Sequence, residues 1–240
     1  MIRIRKADQR GAFDHGWLKT WHSFSFASYY HPDYMGFQSL RVINEDIVAP
    51  AQGFGTHGHK DMEIITYVLS GSLEHRDSLG NGGILKRDTV QRMRAGTGIR
   101  HSEFNPDAEK PLHLFQIWLL PKKNGLAPAY EDRRFDPAPA QGRWQVLVSP
   151  DGEEGSLDMA QDAHLWRTFL KAGEEVTLKL PAGESNAYLQ LAGGEAEVVA
   201  VGEAEERAVL LSSDGAAIRS AREIRLKALA PTEALLFGLA

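Results

Sequence analysis

Short runs of apolar residues, separated by glycine, asparagine and proline, cover most of the chain. In the first half these runs fall at residues 40–43, 64–69, 90–93 and 112–120. Residues 77–83 read DSLGNGG, which is typical of a hairpin loop because these residue types tolerate a positive φ. Short strands punctuated in this way predict an all-β barrel or sandwich.

The second half repeats this pattern after a proline-rich stretch. Residues 121–143 contain four prolines and the charged cluster 131–134, and we interpret them as a connector. Further strands are predicted at 144–148, 165–170, 176–180, 187–191, 197–201, 208–211 and 234–237. The halves are of similar length and predict two barrels of one type, at residues 1–130 and 131–240. Only residues 222–230 look compatible with a helix, so we expect few and short helices.

The amino-acid composition limits which kinds of functional site the chain can contain. The 240 residues are 42% hydrophobic, carry a formal net charge of −5 and include no cysteine. The absence of cysteine excludes disulfides, iron–sulfur clusters and thiol catalysis, so any metal must be held by nitrogen and oxygen. The chain has no block of basic residues, so its sequence does not indicate binding to nucleic acid. The charged start does not resemble a signal peptide, and no apolar run reaches the length of a membrane span, so we expect a cytoplasmic protein. We also expect a monomer.

Two short motifs carry the most specific signal. His57 and His59 are one residue apart, and His101 and Glu103 repeat that spacing downstream. Side chains at i and i+2 of a strand share one face, so two such pairs on neighbouring strands can converge on one point. Three imidazoles and a carboxylate suit Fe(II), Mn(II), Co(II), Ni(II), Cu(II) or Zn(II). Four ligands leave room on a six-coordinate ion, which favours chemistry over a structural role.

The fourth ligand has two candidates. Glu103 shares a strand face with His101 by parity, and we prefer it; Glu63 is then interpreted as a carboxylate that orients a histidine. Eight of the nine histidines lie at or before residue 113, and His164 alone lies later. The second barrel is therefore predicted to lack metal ligands.

The remaining aromatic residues receive simpler interpretations. His113 alternates with apolar residues and is predicted to be a core histidine. His15, His22, His31 and His75 are predicted to lie on the surface or in loops. The aromatic-rich segment 17–37 is expected to pack on a sheet, with a lid or a wall for an aromatic ligand as the alternative.

These motifs together resemble the cupin superfamily and, within it, the two-barrel pirin family. The first cupin motif corresponds here to Gly53-Phe-Gly-Thr-His57-Gly-His59-Lys-Asp-Met-Glu63, closed by Gly71. The second corresponds to Gly96-Thr-Gly98-Ile-Arg-His101-Ser-Glu103-Phe-Asn105, with glycine in place of the usual proline. The stretches SFSFA at 23–27, MGF at 35–37 and LRVIN at 40–44 also look like pirins. The likeness is specific over residues 15–120 and only architectural beyond them.

The resemblance implies a fold of two jelly-roll cupin barrels in tandem. It implies one divalent ion, usually iron, held by His57, His59, His101 and Glu103. It also implies a quercetin 2,3-dioxygenase activity, in which a metal-coordinated flavonol is cleaved by O2 with release of CO and Glu103 serves as the base. The alternatives are a non-enzymatic, metal-dependent regulatory module that binds a protein partner, or another cupin reaction, since one fold hosts many chemistries.

Overall fold

The computed structural model describes residues 1–240, and most of them lie in β-strands. Three 3₁₀ turns, at Ala7–Gln9, Ala138–Ala140 and Glu153–Gly155, are its only helical elements. The all-β prediction is confirmed, and no helix has the length and apolarity to span a membrane. The strands are β1 Ile2–Arg5, β2 Gly11–Asp14, β3 Leu18–His22, β4 Leu40–Val48, β5 Gly53–His59, β6 Glu63–Ser70, β7 Ser72–Asp77, β8 Gly82–Lys86, β9 Thr89–Arg94, β10 Ile99–Phe104, β11 Leu112–Leu119, β12 Ala129–Arg134, β13 Gln145–Ser149, β14 Leu157–Asp158, β15 Ala163–Leu170, β16 Glu175–Lys179, β17 Asn186–Gly193, β18 Glu195–Val201, β19 Glu205–Leu211, β20 Gly215–Ile218, β21 Glu223–Ala228 and β22 Thr232–Leu239.

The strands form two compact units. The N-terminal barrel comprises Gly11–Phe135 with Met159–Gln161, and the C-terminal barrel comprises Met1–Arg10, Asp136–Asp158 and Asp162–Ala240. This division differs from one at residue 130, because β1 pairs with β20 through the register Ile2↔Ile218 and so belongs to the C-terminal barrel. Residue 130 itself lies within β12 of the N-terminal barrel.

The N-terminal barrel consists of a seven-stranded and a four-stranded sheet. Their strand orders are β12-β9-β6-β11-β4-β3-β2 and β5-β10-β7-β8. The cluster Glu131–Arg134, predicted to be part of a linker, lies in β12 and pairs antiparallel with β9. Its charges suited it to a linker, but a strand at the edge of a sheet tolerates charged side chains on its solvent side.

The C-terminal barrel repeats the same division of strands. Its seven-stranded sheet has the order β1-β20-β17-β22-β15-β13-β14, and its four-stranded sheet has the order β16-β21-β18-β19. The stretch 222–230 that looked compatible with a helix forms β21 instead, which is paired on both sides, with β16 and β18. Sheet pairing here overrides a weak local propensity.

The interior of the N-terminal barrel is apolar at two places and polar between them. One apolar cluster includes Val68, Leu85 and Leu114, and another includes Ile64 and Met93. Between them, five polar residues occupy directly facing positions on five adjacent strands. This polar row consists of His22, Asn44, Gln116, Thr66 and Gln91.

A buried polar group without a hydrogen bond costs free energy, so these side chains are expected to bond with one another inside the barrel. Thr66 Oγ1 donates to Gln116 Oε1 at 3.1 Å, and Gln91 Nε2 donates to Thr66 Oγ1 at 3.3 Å. The polar row therefore gives the large sheet a hydrogen-bonding surface on the face that looks toward β10 of the small sheet.

Candidate metal centre

Three histidines converge on the small sheet of the N-terminal barrel. Strands β5 and β10 run antiparallel with His57 directly opposite His101 and His59 opposite Ile99. His101 Nε2 lies 3.0 Å from His57 Nε2 and 2.9 Å from His59 Nε2. The i, i+2 spacing predicted from the sequence thus brings three ring nitrogens together, and we call this group the histidine triad.

Two rings of the triad are held in the neutral form that binds metals. Burial, with a smaller contribution from the neighbouring His57, lowers the pKa of His101 to about 2 and that of His59 to about 4. His57 Nδ1 lies 2.9 Å from the carbonyl oxygen of Gly55. A hydrogen on that Nδ1 leaves Nε2 with a free lone pair, as a metal ligand needs.

The spacing within the triad fits a cation. With metal–nitrogen bonds of about 2.1 Å, nitrogens at right angles stand about 3.0 Å apart and nitrogens at tetrahedral angles about 3.4 Å apart. The two measured separations, 3.0 and 2.9 Å, match the right-angled arrangement. The lone pairs of neutral nitrogens this close repel one another. A cation shared by the three rings would remove that repulsion.

Glu103 lies next to the triad on the same strand as His101. Its side chain is 3% exposed, and Gln116 Nε2 of the polar row donates to Glu103 Oε2 at 3.0 Å. Glu103 Oε1 is buried without a hydrogen-bond partner. Burial raises the pKa of the Glu103 carboxyl to about 7. A carboxyl oxygen of Glu103 groups with ring nitrogens of His75 and His101, within 4.8 Å of one another.

A chain of aromatic rings begins at the triad. The ring of Trp118 lies 4.9 Å from that of His59, and Phe26 lies 5.3 Å from Trp118, both edge-on. His22 continues the contact, with its ring 5.2 Å from Phe26. Trp118 Nε1 is buried without a hydrogen-bond partner. The aromatic segment 17–37 therefore contributes rings to the neighbourhood of the triad, and its role as a lid or as a wall for an aromatic ligand stays a prediction.

Two residues with predicted auxiliary roles lie elsewhere. Glu63 is fully buried, and its Oε1 pairs with Arg94 Nε at 2.9 Å. The expectation that Glu63 orients a histidine is therefore wrong; its strand parity directs it to the arginine of β9 opposite it. His113 is half-buried, and its Nε2 lies 3.0 Å from Glu45 Oε1. Its partner is a carboxylate rather than an apolar core.

Sequence reasoning missed the residues behind the triad. His75 was expected at the surface but is 0% exposed, and its Nδ1 lies 3.4 Å from His101 Nδ1. The available signal was parity, because His75 follows the buried Leu73 by two residues and so shares its face. His22 is also buried rather than exposed. Gln116 could have been noticed as a lone polar residue within an apolar strand.

Comparison with known proteins agrees with this architecture. The family model named Pirin matches residues 3–119, and the model named Quercetinase C-terminal cupin domain matches residues 146–239. A protein of Escherichia coli K12 named quercetin 2,3-dioxygenase is 47% identical over 239 residues, which cover 100% of this chain and 99% of the relative. The chain belongs to the pirin family.

Solved pirin structures share the fold over its whole length. The crystal structure of YhhW from Escherichia coli superposes with a TM-score of 0.93 at 46% identity, covering 100% of this chain and 98% of that one. A second structure, of the bacterial pirin YhhW in complex with nickel(II), gives a TM-score of 0.91 at 46% identity, with 100% and 99% covered. The prediction of a pirin with two cupin barrels in tandem is thereby confirmed.

Proposed function

We propose that this pirin is a metal-dependent dioxygenase that cleaves the heterocyclic ring of a flavonol such as quercetin with O2 and releases CO. The observation that carries the proposal is the convergence of His57 Nε2 and His59 Nε2 on His101 Nε2, with a carboxyl oxygen of the buried Glu103 within 4.8 Å of a ring nitrogen of His101. His57, His59, His101 and Glu103 would hold one divalent ion. The name of the E. coli relative, quercetin 2,3-dioxygenase, supports the substrate class.

The donor set suits a divalent first-row transition metal. Nitrogen with one oxygen ligand accommodates Fe(II), which we favour, as well as Mn, Co, Ni, Cu and Zn, and the bacterial relative has been seen with nickel(II). When bound, such an ion supplies Lewis-acid activation of the flavonol 3-hydroxyl and a meeting point for substrate and O2. The C-terminal barrel, with His164 as its one histidine, is proposed to hold no metal.

Glu103 is suited to remove the proton of the 3-hydroxyl group. A base is most effective when its pKa lies near the working pH, and burial brings that of Glu103 to about 7. Gln116 Nε2 donates to Oε2, so Oε1 is the oxygen that remains both for the ion and for the proton of the substrate. The amide is in turn positioned by Thr66, which donates to its oxygen at 3.1 Å.

Trp118 and Phe26 provide a surface for a planar aromatic substrate. The ring of Trp118 lies 4.9 Å from that of His59, and the ring of Phe26 lies 5.3 Å from that of Trp118. Aromatic groups associate favourably with the edges and faces of such rings. The buried Trp118 Nε1 is an unused donor that a substrate oxygen can accept from. Together they favour an aromatic substrate bearing hydroxyl or carbonyl oxygens.

The test is direct. Metal-loaded protein is incubated with quercetin under air, and flavonol absorbance and CO are followed over time. We expect loss of absorbance matched by CO from the wild type and none above background from His101→Ala. The matched control His113→Gln removes a half-buried histidine of the same barrel that lies outside the triad, and it should keep its activity.

Failure has a defined meaning in this assay. If the metal-loaded wild type turns over quercetin no faster than His101→Ala, the dioxygenase proposal is rejected in favour of the regulatory module. If quercetin disappears without CO, the reaction is another cupin chemistry at the same centre.

A further inference from the structure

His75 lies directly behind one corner of the histidine triad. It is on β7, opposite Glu103 in the ladder with β10, and its side chain is 0% exposed. His75 Nδ1 lies 3.4 Å from His101 Nδ1, whereas His101 Nε2 faces His57 and His59. The two nitrogens of an imidazole point in different directions, so His75 contacts His101 at the nitrogen that does not face the other two rings of the triad.

Proton positions follow from this arrangement. If His101 Nε2 is to bind a cation, the neutral ring must carry its hydrogen on Nδ1. That buried N–H needs an acceptor, and the atom that faces it is His75 Nδ1. For His75 Nδ1 to accept, the hydrogen of the His75 ring must lie on Nε2. One tautomer therefore dictates the other.

The far side of His75 meets a carboxylate that is held firmly in place. His75 Nε2 lies 3.6 Å from Asp77 Oδ2. Asp77 Oδ1 accepts from the backbone N–H groups of Leu79 and Asn81, each at 2.9 Å, and Asp77 Oδ2 accepts from Asn81 Nδ2 at 2.9 Å. Three donors of one turn thus hold the carboxylate at ion-pair distance from His75 Nε2, a buried atom without a hydrogen-bond partner.

The ring of His75 is also held from one face. Tyr130 of β12 stacks on it with centroids 4.7 Å apart and an angle of 18° between the planes. Such stacking restricts rotation of the ring about its side-chain bonds. The contrast is His57, whose Nδ1 faces a backbone carbonyl rather than a side chain. Within the triad, the orientation of His101 therefore depends on a side chain that a substitution can remove, whereas that of His57 depends on the backbone.

We propose that His75 is a positioning residue, which with Asp77 fixes His101 as its Nδ1–H tautomer and thereby strengthens binding of a divalent metal by the triad. The inference rests on the metal-binding role proposed above. Partners that orient a ligating histidine typically contribute about 10–100-fold to metal affinity. In this proposal His75 affects metal affinity through the orientation and tautomer of His101.

The first test measures Co(II) affinity by competition with a chromophoric chelator. His75→Leu keeps a similar volume but removes the acceptor, so its dissociation constant should rise by about 10–100-fold. His75→Gln offers an amide oxygen to the His101 Nδ1–H and should recover most of that loss. The control His113→Gln, which alters a histidine paired with Glu45 outside the triad, should bind as the wild type does.

The second test needs no variant. In Zn(II)-loaded protein labelled with ¹⁵N-histidine, long-range ¹H–¹⁵N correlation reports the tautomer of each ring. We expect His101 as Nδ1–H and His75 as Nε2–H. This measurement decides the matter even if His75→Leu does not fold.

The outcomes separate this inference from the proposed function. If the wild type binds neither Co(II) nor Zn(II), the metal centre itself is refuted. If metal binds but His75→Leu is within two-fold of the wild type, or if His75 is the Nδ1–H tautomer, only the role of His75 is refuted. Neither readout depends on turnover of a flavonol.

Discussion

The two barrels have the same division into seven-stranded and four-stranded sheets, yet their interiors differ in chemistry. The N-terminal interior places a polar row between two apolar clusters. The C-terminal interior is one continuous cluster of mostly aliphatic side chains, including Leu189, Ile218, Leu226 and Leu236. The same strand scaffold therefore accommodates a polar row in one barrel and an aliphatic interior in the other.

The histidines of the two barrels show the same contrast. In the N-terminal barrel, burial and neighbouring rings lower the pKa of His101 and keep the ring unprotonated. In the C-terminal barrel, burial also lowers the pKa of His164, but its bonds to Glu184 and Glu153 outweigh burial and raise it. His164 Nδ1 lies 2.5 Å from Glu184 Oε1, and Nε2 lies 3.2 Å from Glu153 Oε1. The surroundings therefore favour the neutral imidazole of His101 in one barrel and the protonated form of His164 in the other.

The largest expected effect is on metal content. His59→Ala removes one of three converging nitrogens and should abolish stoichiometric uptake, whereas His164→Ala should leave it unchanged. Elemental analysis after metal supplementation, with circular dichroism to verify folding, provides the measurement. A lower metal content in His164→Ala would break the comparison, because it would place a ligand in the C-terminal barrel.

Glu103→Gln should separate binding from turnover. The amide keeps the size of the side chain and one oxygen, so part of the metal should remain, but it cannot accept the substrate proton. Loss of a general base typically slows a reaction by about 10²–10⁴-fold. The rate of CO release per bound metal checks this expectation, and a rate near that of the wild type would exclude Glu103 as the base.

Leu189→Ala tests the C-terminal core. Leu189 is fully buried in the aliphatic cluster, and truncation of such a residue costs about 2–5 kcal/mol of unfolding free energy. Metal content per folded molecule should not change. The control Leu211→Ala, at a position 51% exposed, should shift the urea midpoint little. Equal effects of the two variants would contradict a packed C-terminal interior.

The smallest effect concerns pH. Because the folded-state pKa of His164 is raised above its ordinary value of 6.5, its stabilising contribution is complete below pH 6.5 and is lost as the pH rises through the raised value. Relative to His164→Gln, the wild type should have about 2 kcal/mol more free energy of unfolding at pH 6, and this difference should shrink as the pH rises above 6.5. Urea unfolding across this range measures the difference. A difference between the two proteins that does not change with pH would show that His164 is not charged.

The sequence predicted what depends on period and spacing. Alternation along β5 predicted a shared face for His57 and His59, and alternation along β10 predicted one for His101 and Glu103; the pairing of the two strands then brings the three histidines together. The polar row was not predictable in this way, because its members lie on five strands whose register is set by tertiary pairing. His75 was misplaced because its charged neighbours Glu74 and Arg76 belong to the opposite face of β7.

The pairing of β1 with β20 has a consequence for synthesis of the chain. Residues 2–5 leave the ribosome early, but their partners at residues 215–218 emerge only after more than two hundred further residues. The N-terminal barrel, complete by residue 161, can close while β1 still waits unpaired. The C-terminal barrel therefore cannot be completed before residues 215–218 are made, whereas every residue of the histidine triad is available long before β1 can pair.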